Sequence, residues 1–121
     1  MSIEQGDIFK FDFGPRQNSL MEGPHFVVVI QTDELNKLQN YHSVVVAPIT
    51  SKHRASPTYV QVLPSTANQL IVPSYVVTNQ IFTIDKGQLG DPAGKTTEFE
   101  RTLVKRGLAT VFDIVKDNLS P

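Results

Sequence analysis

The sequence predicts a mainly β protein: a small β-barrel of short strands with one C-terminal helix as a buttress. Three observations carry this prediction. Phe26-Val27-Val28-Val29-Ile30 and Val44-Val45-Val46-Ala47-Pro48-Ile49 are apolar runs of strand length with polar residues at both ends. Most of the 8 prolines and 7 glycines fall between such runs, the punctuation of many short strands. Only the last third of the chain changes to a helical repeat.

The elements follow in order. Ile8 to Phe13 reads as the first strand, with Phe9, Phe11 and Phe13 alternating against Ile8, Lys10 and Asp12. At strict period two, the three rings belong in the core rather than in a base-stacking platform. Residues 14–24 form a long loop with Gly-Pro at both ends, the kind of loop that often binds or covers a ligand. A strand over 25–31 follows. A short helical turn over 33–38 comes next, with Thr32 or Asp33 as N-cap. The strand over 43–50 runs into a polar loop at 51–57, where Lys52, His53 and Arg54 are adjacent cations. Residues 59–63 form a strand with Val60 and Val62 on one face. Residues 75–80 form another, and 82–85 continues it or turns. Tyr59, Tyr75 and Phe82 lie near strand ends and are the better stacking candidates.

Thr97 and Glu100 fit a capping box. Val104, Leu108, Val111 and Val115 then recur at helical spacing, supported by Leu103 and Phe112. Gly107 inside this helix costs about 1 kcal/mol against Ala, which a close backbone approach to the sheet or to a second subunit would explain. The chain is expected to be one domain over 1–121, with strands from about 7 to 85 and the helix from about 97 to 116. Strands 25–31 and 43–50 are apolar on both faces, so the helix is expected to cover one side and a partner subunit another.

Composition narrows the function. A chain of 121 residues with 40% hydrophobic residues suits one globular core. A net charge of -1 argues against holding duplex DNA by bulk charge. With no cysteine, disulfides, thiolate nucleophiles and zinc–thiolate sites are excluded. The N-terminal residues show no basic segment leading into an apolar one, and no apolar run approaches the ~20 residues that span a bilayer. The expected location is the cytoplasm, without membrane attachment. No paired carboxylates, metal-ligand spacing or Gly-rich phosphate loop stand out, so no metal or other cofactor is expected. What remains is a rim of hydroxyl, imidazole and cation at the strand ends, which suits phosphate chemistry.

Several segments carry a resemblance. Gly6-Asp7-Ile8-Phe9 and Asp12-Phe13-Gly14-Pro15 resemble the opening strand and turn of the MazF/PemK family of toxin endoribonucleases. Ser19 to Gly23 with Val27-Val28-Val29-Ile30-Gln31 resembles its loop and second strand, and Asn36 its following Asn. Val45 to Ser51 resembles its third strand with the terminal Thr-Ser. Gln80 with Thr83-Ile84-Asp85-Lys86 resembles its Asp-Gln-x-x-Thr-Ile-Asp segment. The resemblance spans roughly 5–116. It implies an SH3-like barrel of the CcdB/PemK-like plasmid-maintenance-toxin fold, a homodimer, metal-independent cleavage of single-stranded RNA (mRNA) that inhibits growth, and an inhibitory antitoxin partner. Operator DNA is a further expected partner of the toxin–antitoxin complex.

The chain also departs from the pattern. His25-Phe26 stands where the family has a catalytic Arg followed by Pro, Asn79 where some members have Asp, and Val77 where some have Arg. Thr50 matches the catalytic Thr. On this resemblance His25 and Thr50 are the expected catalytic residues. Histidine suits proton transfer because its unperturbed pKa is about 6.5, and the Thr hydroxyl can donate to a phosphate oxygen. Arg16, Ser19, Ser51, Lys52, His53, Arg54, Asn79 and Gln80 are the expected RNA-binding residues. Two alternatives stand beside this one. The missing Arg suits a weakened member that acts by binding RNA, operator DNA or antitoxin. A gyrase poison shares the barrel but is associated with a C-terminal tryptophan, and this chain has no Trp.

Overall fold

The computed structural model describes residues 2–15 and 21–115. In chain order the elements are β1 (Asp7–Asp12), β2 (Pro24–Val29), α1 (Asp33–Asn36), β3 (Ser43–Thr50), β4 (Tyr59–Val62), β5 (Ser74–Val77), β6 (Phe82–Asp85), β7 (Pro92–Lys95) and α2 (Glu98–Phe112), with a single 3-10 turn at Lys86–Gln88. All strand pairs are antiparallel, in the order β4-β5-β3-β2-β1-β7. The central strand β3 is the longest and takes a third neighbour, because β6 pairs with its first half.

The sheet curls until its ends approach. Asn68, in the connection between β4 and β5, bridges Gly94 of β7. The Gln69 amide donates to the Ala93 carbonyl at 2.9 Å, and the Lys95 amide to the Ala67 carbonyl at 3.0 Å. Gly94 has φ +118, and a Cβ there would run into the Ala67 carbonyl and the Asn68 backbone, so closure at this seam requires glycine.

Two apolar layers flank the sheet. Ile8, Val28, Ala47, Ile49, Val60, Val62 and Val76 form the first, which Val104 of α2 covers with help from Leu103 and Leu108. Phe9, Val27, Val29, Val44, Val46 and Ile84 form the second, closed by Ile3, Leu89, Phe11, Phe13 and Phe82. The face that the sequence left to a partner subunit is thus covered largely from within the chain. The apolar runs Val27–Val29 of β2 and Val44–Ile49 of β3 are largely buried on both faces within one chain, because the phenylalanines of β1 and β6 fold over the side that α2 does not reach.

Helix α2 is capped as expected. The Thr97 hydroxyl accepts the Glu100 amide at 3.1 Å, and Glu100 Oε1 accepts the Thr97 amide at 2.8 Å. Glu100 Oε2 also accepts the Leu63 amide at 3.1 Å, fastening the helix start to the end of β4. The helix stops at Phe112, short of 116, because Asp113 turns left-handed (φ 57, ψ 45). Its apolar stripe covers the sheet only through Leu108. Val111, Phe112, Ile114 and Val115 are exposed. Gly107 does mark a close approach, and to the sheet: a Cβ there would lie 2.8 Å from Thr78 Oγ1.

The remaining corrections are local. β5 ends at Val77 rather than 80, and 82–85 forms a separate strand against β3. β7 lies beyond the expected strand region. Thr32 is the N-cap of α1 but makes no side-chain capping bond. Phe82 belongs to the core, with its ring 5.6 Å from those of Phe11 and Phe13, and is not a stacking surface.

Candidate functional site

Antiparallel register builds the site. In the β2–β3 ladder Phe26 pairs with Ile49. The β2–β3 ladder ends at this pair, and His25 and Thr50 are the next residue on each strand. His25 pairs with Phe11 of β1, and Thr50 with Tyr75 of β5. His25 shares its face with Val27 and Val29, so it lies on the side of the sheet opposite α2.

Around these residues opens a cleft of about 610 Å³. His25 and Thr50 line it, together with Lys52 and Arg54 from the 51–57 loop and Asn79 and Gln80 from the turn after β5. Of the ten expected site residues, these six are brought together. Ser51 is exposed on the same loop but does not line the cleft. His53 is also outside the lining, with its ring 4.9 Å from that of Tyr75 at an angle of 50°. The side chain of that stacking candidate is thus already partnered within the chain. Arg16 and Ser19 lie outside the described residues.

The chemistry of the lining is specific. Thr50 Oγ1 accepts the Lys52 amide at 3.1 Å, which fixes the hydroxyl oxygen and leaves its proton free to donate. The edge of the His25 ring packs against Phe13, with centroids 5.9 Å apart. Neither Lys52 nor Arg54 is in an ion pair among the described residues, where Lys95 alone forms salt bridges, to Glu4 at 3.2 Å and Asp7 at 4.0 Å. Among the described residues nothing competes with an anionic ligand for either cation as an ion-pair partner. No group of three or more His, Cys, Asp or Glu side chains is placed to hold a metal ion among the described residues.

Sequence reasoning missed part of the lining: Met21, Glu22, Ser56, Thr58 and Val77. Glu22 is the one carboxylate there among the described residues. A lone loop carboxylate carries no sequence signal. Ser56 and Thr58 look like turn residues, and only their joint position against β5 makes them a wall of the cleft.

A curled sheet braced behind by one helix, with a hydroxyl, an imidazole and cations that form no ion pair among the described residues at its strand ends, is the kind of small barrel that the sequence predicts. The comparisons agree. The family described as PemK-like, MazF-like toxin of type II toxin-antitoxin system matches residues 4–112. The chain belongs to this family. It is 32% identical over 115 residues to Endoribonuclease MazF6 of Mycobacterium tuberculosis (strain ATCC 25618 / H37Rv), covering 94% of this chain and all of that protein. The same figures hold for Endoribonuclease MazF2 of Mycobacterium bovis. Among solved structures, a mycobacterial endoribonuclease in complex with its cognate antitoxin aligns with a TM-score of 0.76 at 24% identity, covering 93% of this chain and 97% of that one. MazF from Deinococcus radiodurans aligns with a TM-score of 0.73 at 16% identity, covering 93% and 98%. These alignments show the fold.

Proposed function

We propose that this protein is the toxin of a toxin–antitoxin pair and cleaves single-stranded RNA in the His25–Thr50 cleft without a metal ion. The observation that carries the reading is that His25 and Thr50, each one residue past the last β2–β3 pair, line one cleft beside two cations that have no ion-pair partner among the described residues. In the step envisaged, a ribose 2′-OH loses its proton to a base and attacks the adjacent phosphorus. The bond to the 5′ oxygen breaks, and that oxygen takes a proton. The products are a 2′,3′-cyclic phosphate and a 5′-OH. His25 serves one proton transfer, and Glu22 is the carboxylate at hand for the other. The Thr50 hydroxyl donates to the charge developing on the phosphate, which Lys52 and Arg54 neutralise.

A binding-only role is the second reading, because an imidazole stands where the family pattern has a guanidinium. Incubation with a long single-stranded RNA in EDTA separates the two. Discrete fragments with 5′-OH ends support cleavage; intact RNA supports binding alone.

Two kinds of protein partner fit the surface: a second copy of the chain and a cognate antitoxin. Phe112, Ile114 and Val115 at the end of α2 are each more than half exposed, an apolar cluster suited to burial in an interface. Among the described residues no helix is long and apolar enough to cross a membrane, and we place the activity in the cytoplasm, where its RNA substrate is. Binding of operator DNA belongs to the toxin–antitoxin complex.

A further inference from the structure

The cleavage step leaves one wall of the cleft without a task. Ser56 Oγ lies 2.8 Å from Thr58 Oγ1 and also accepts the Thr58 amide at 3.2 Å. Two hydroxyls bring two protons. One lies between the oxygens, and the other is left for a third partner. The pair therefore presents one O–H donor, together with lone pairs, at a fixed place.

That place is set from deep in the fold. The Thr58 carbonyl accepts both the Thr78 amide at 2.9 Å and the Thr78 hydroxyl at 2.8 Å. Thr78 is fully buried, and Gly107 of α2 closes on it from behind. A surface turn whose hydroxyls served only water would not need a buried double anchor. The neighbouring wall is also uncharged: Tyr59 stands opposite Val77 in the β4–β5 ladder, and Asn79 and Gln80 follow. Cations position a nucleic acid through its phosphates, whereas neutral donors and acceptors distinguish base edges.

We propose that the Ser56–Thr58 hydroxyl pair is a nucleobase-reading subsite. It takes the hydrogen-bonding edge of an unpaired base next to the scissile phosphate, and Thr78 is its positioning residue. The inference rests on the reading of the cleft as an RNA site. The test compares wild type with Thr58→Val, Ser56→Ala, Thr78→Val and Thr78→Ser. Cut sites are mapped on a long RNA by their 5′-OH ends, kcat and KM are measured on the preferred oligonucleotide, and anisotropy is read on a panel of uncleavable oligonucleotides with 2′-deoxy at the cut site.

Loss of one recognition hydrogen bond should relax the preference at a single position by roughly 3- to 10-fold, raising KM and sparing kcat. Thr78→Val should reproduce the relaxation, and Thr78→Ser, which keeps the hydroxyl, should not. If Thr58→Val fails to fold, Ser56→Ala decides, because its side chain lies at the cleft wall and not in the core. An unchanged preference in folded variants of an active enzyme overturns the subsite alone, as does a uniform loss at every sequence. A wild type that neither cleaves nor binds single-stranded RNA overturns both readings. One that binds without cleaving is judged by the base preference in the anisotropy panel.

Discussion

His25 and Thr50 stand at strand ends that the sequence marks plainly, where an apolar run meets polar residues. That part of the site was legible. Their meeting at one cleft was not, because register depends on where each strand begins. His25→Ala should lower cleavage by roughly 100- to 10,000-fold if the imidazole transfers a proton, with the fold retained, because the side chain lies at the rim and touches the second core only at Phe13. Single-turnover cleavage measures this. Wild-type turnover in His25→Ala would reduce the residue to a rim histidine and move attention to Glu22 and Lys52. Thr50→Val keeps the shape and removes the donor, so it should also be severe. Arg54→Ala should act differently. Removing one phosphate contact lowers the salt dependence of RNA binding by about 0.7 in the log–log slope for a single strand, while the chemical step at saturating RNA falls less than in His25→Ala or Thr50→Val.

At the scale of elements, the helix cap and the two doubly buried strands were readable from pattern alone. β7 was not, since Pro92 and Gly94 look like turn punctuation. They sit in a strand only because β7 lies at the end of the sheet's pairing order and its glycine meets the backbone of residues 67–68. Gly107 shows the same limit: its cost was visible, its neighbour Thr78 was not. Gly107→Ala gains about 1 kcal/mol of helix propensity but overpacks a buried, hydrogen-bonded threonine, which typically costs about 1–3 kcal/mol. We expect a net loss of about 1 kcal/mol, read as a lower urea midpoint; a stabilised variant would contradict the close approach.

Asp33 links α1 to the N-terminal segment. Its carboxylate accepts the Gln5 amide at 2.7 Å, which holds its pKa below the usual carboxylate value. Burial opposes this, and the Asn36 side chain, Lys37 and Arg101 assist it. A depressed folded-state value contributes stability above the unfolded pKa of about 3.9, and that stability is lost as pH falls through the folded value. Asp7 works the other way. Burial raises its pKa, so its ionisation weakens the fold at neutral pH and the penalty is relieved on acidification. Asp33→Asn should therefore lower the urea midpoint at neutral pH and shrink its fall toward about pH 3. An unchanged difference between the two conditions would remove Asp33 from the pH dependence.

For the whole molecule, the sequence argument for a dimer rested on the doubly apolar strands, on Gly107 and on the resemblance; the single chain buries the strands largely unaided and Gly107 closes on Thr78, so of the three the resemblance remains. The surface that now supports association is the far end of α2, where Val111 and Phe112 of the helix and Ile114 and Val115 just beyond it are exposed. Sedimentation at micromolar concentration should give twice the 13.4 kDa chain mass, and Phe112→Asp should shift it toward one. A wild-type monomer would contradict the homodimer. The central claim, that the His25–Thr50 cleft cuts RNA with the nucleic acid's own 2′-OH, is tested most directly with a pair of oligonucleotides. The two are identical except for a single 2′-deoxy residue at the mapped cut site, and both are incubated with purified protein in EDTA. The account predicts that the all-ribose strand is cut to a 2′,3′-cyclic phosphate and a 5′-OH while its partner stays intact. Equal cutting of both strands, or no cutting of the ribose strand until a divalent metal is restored, would contradict it.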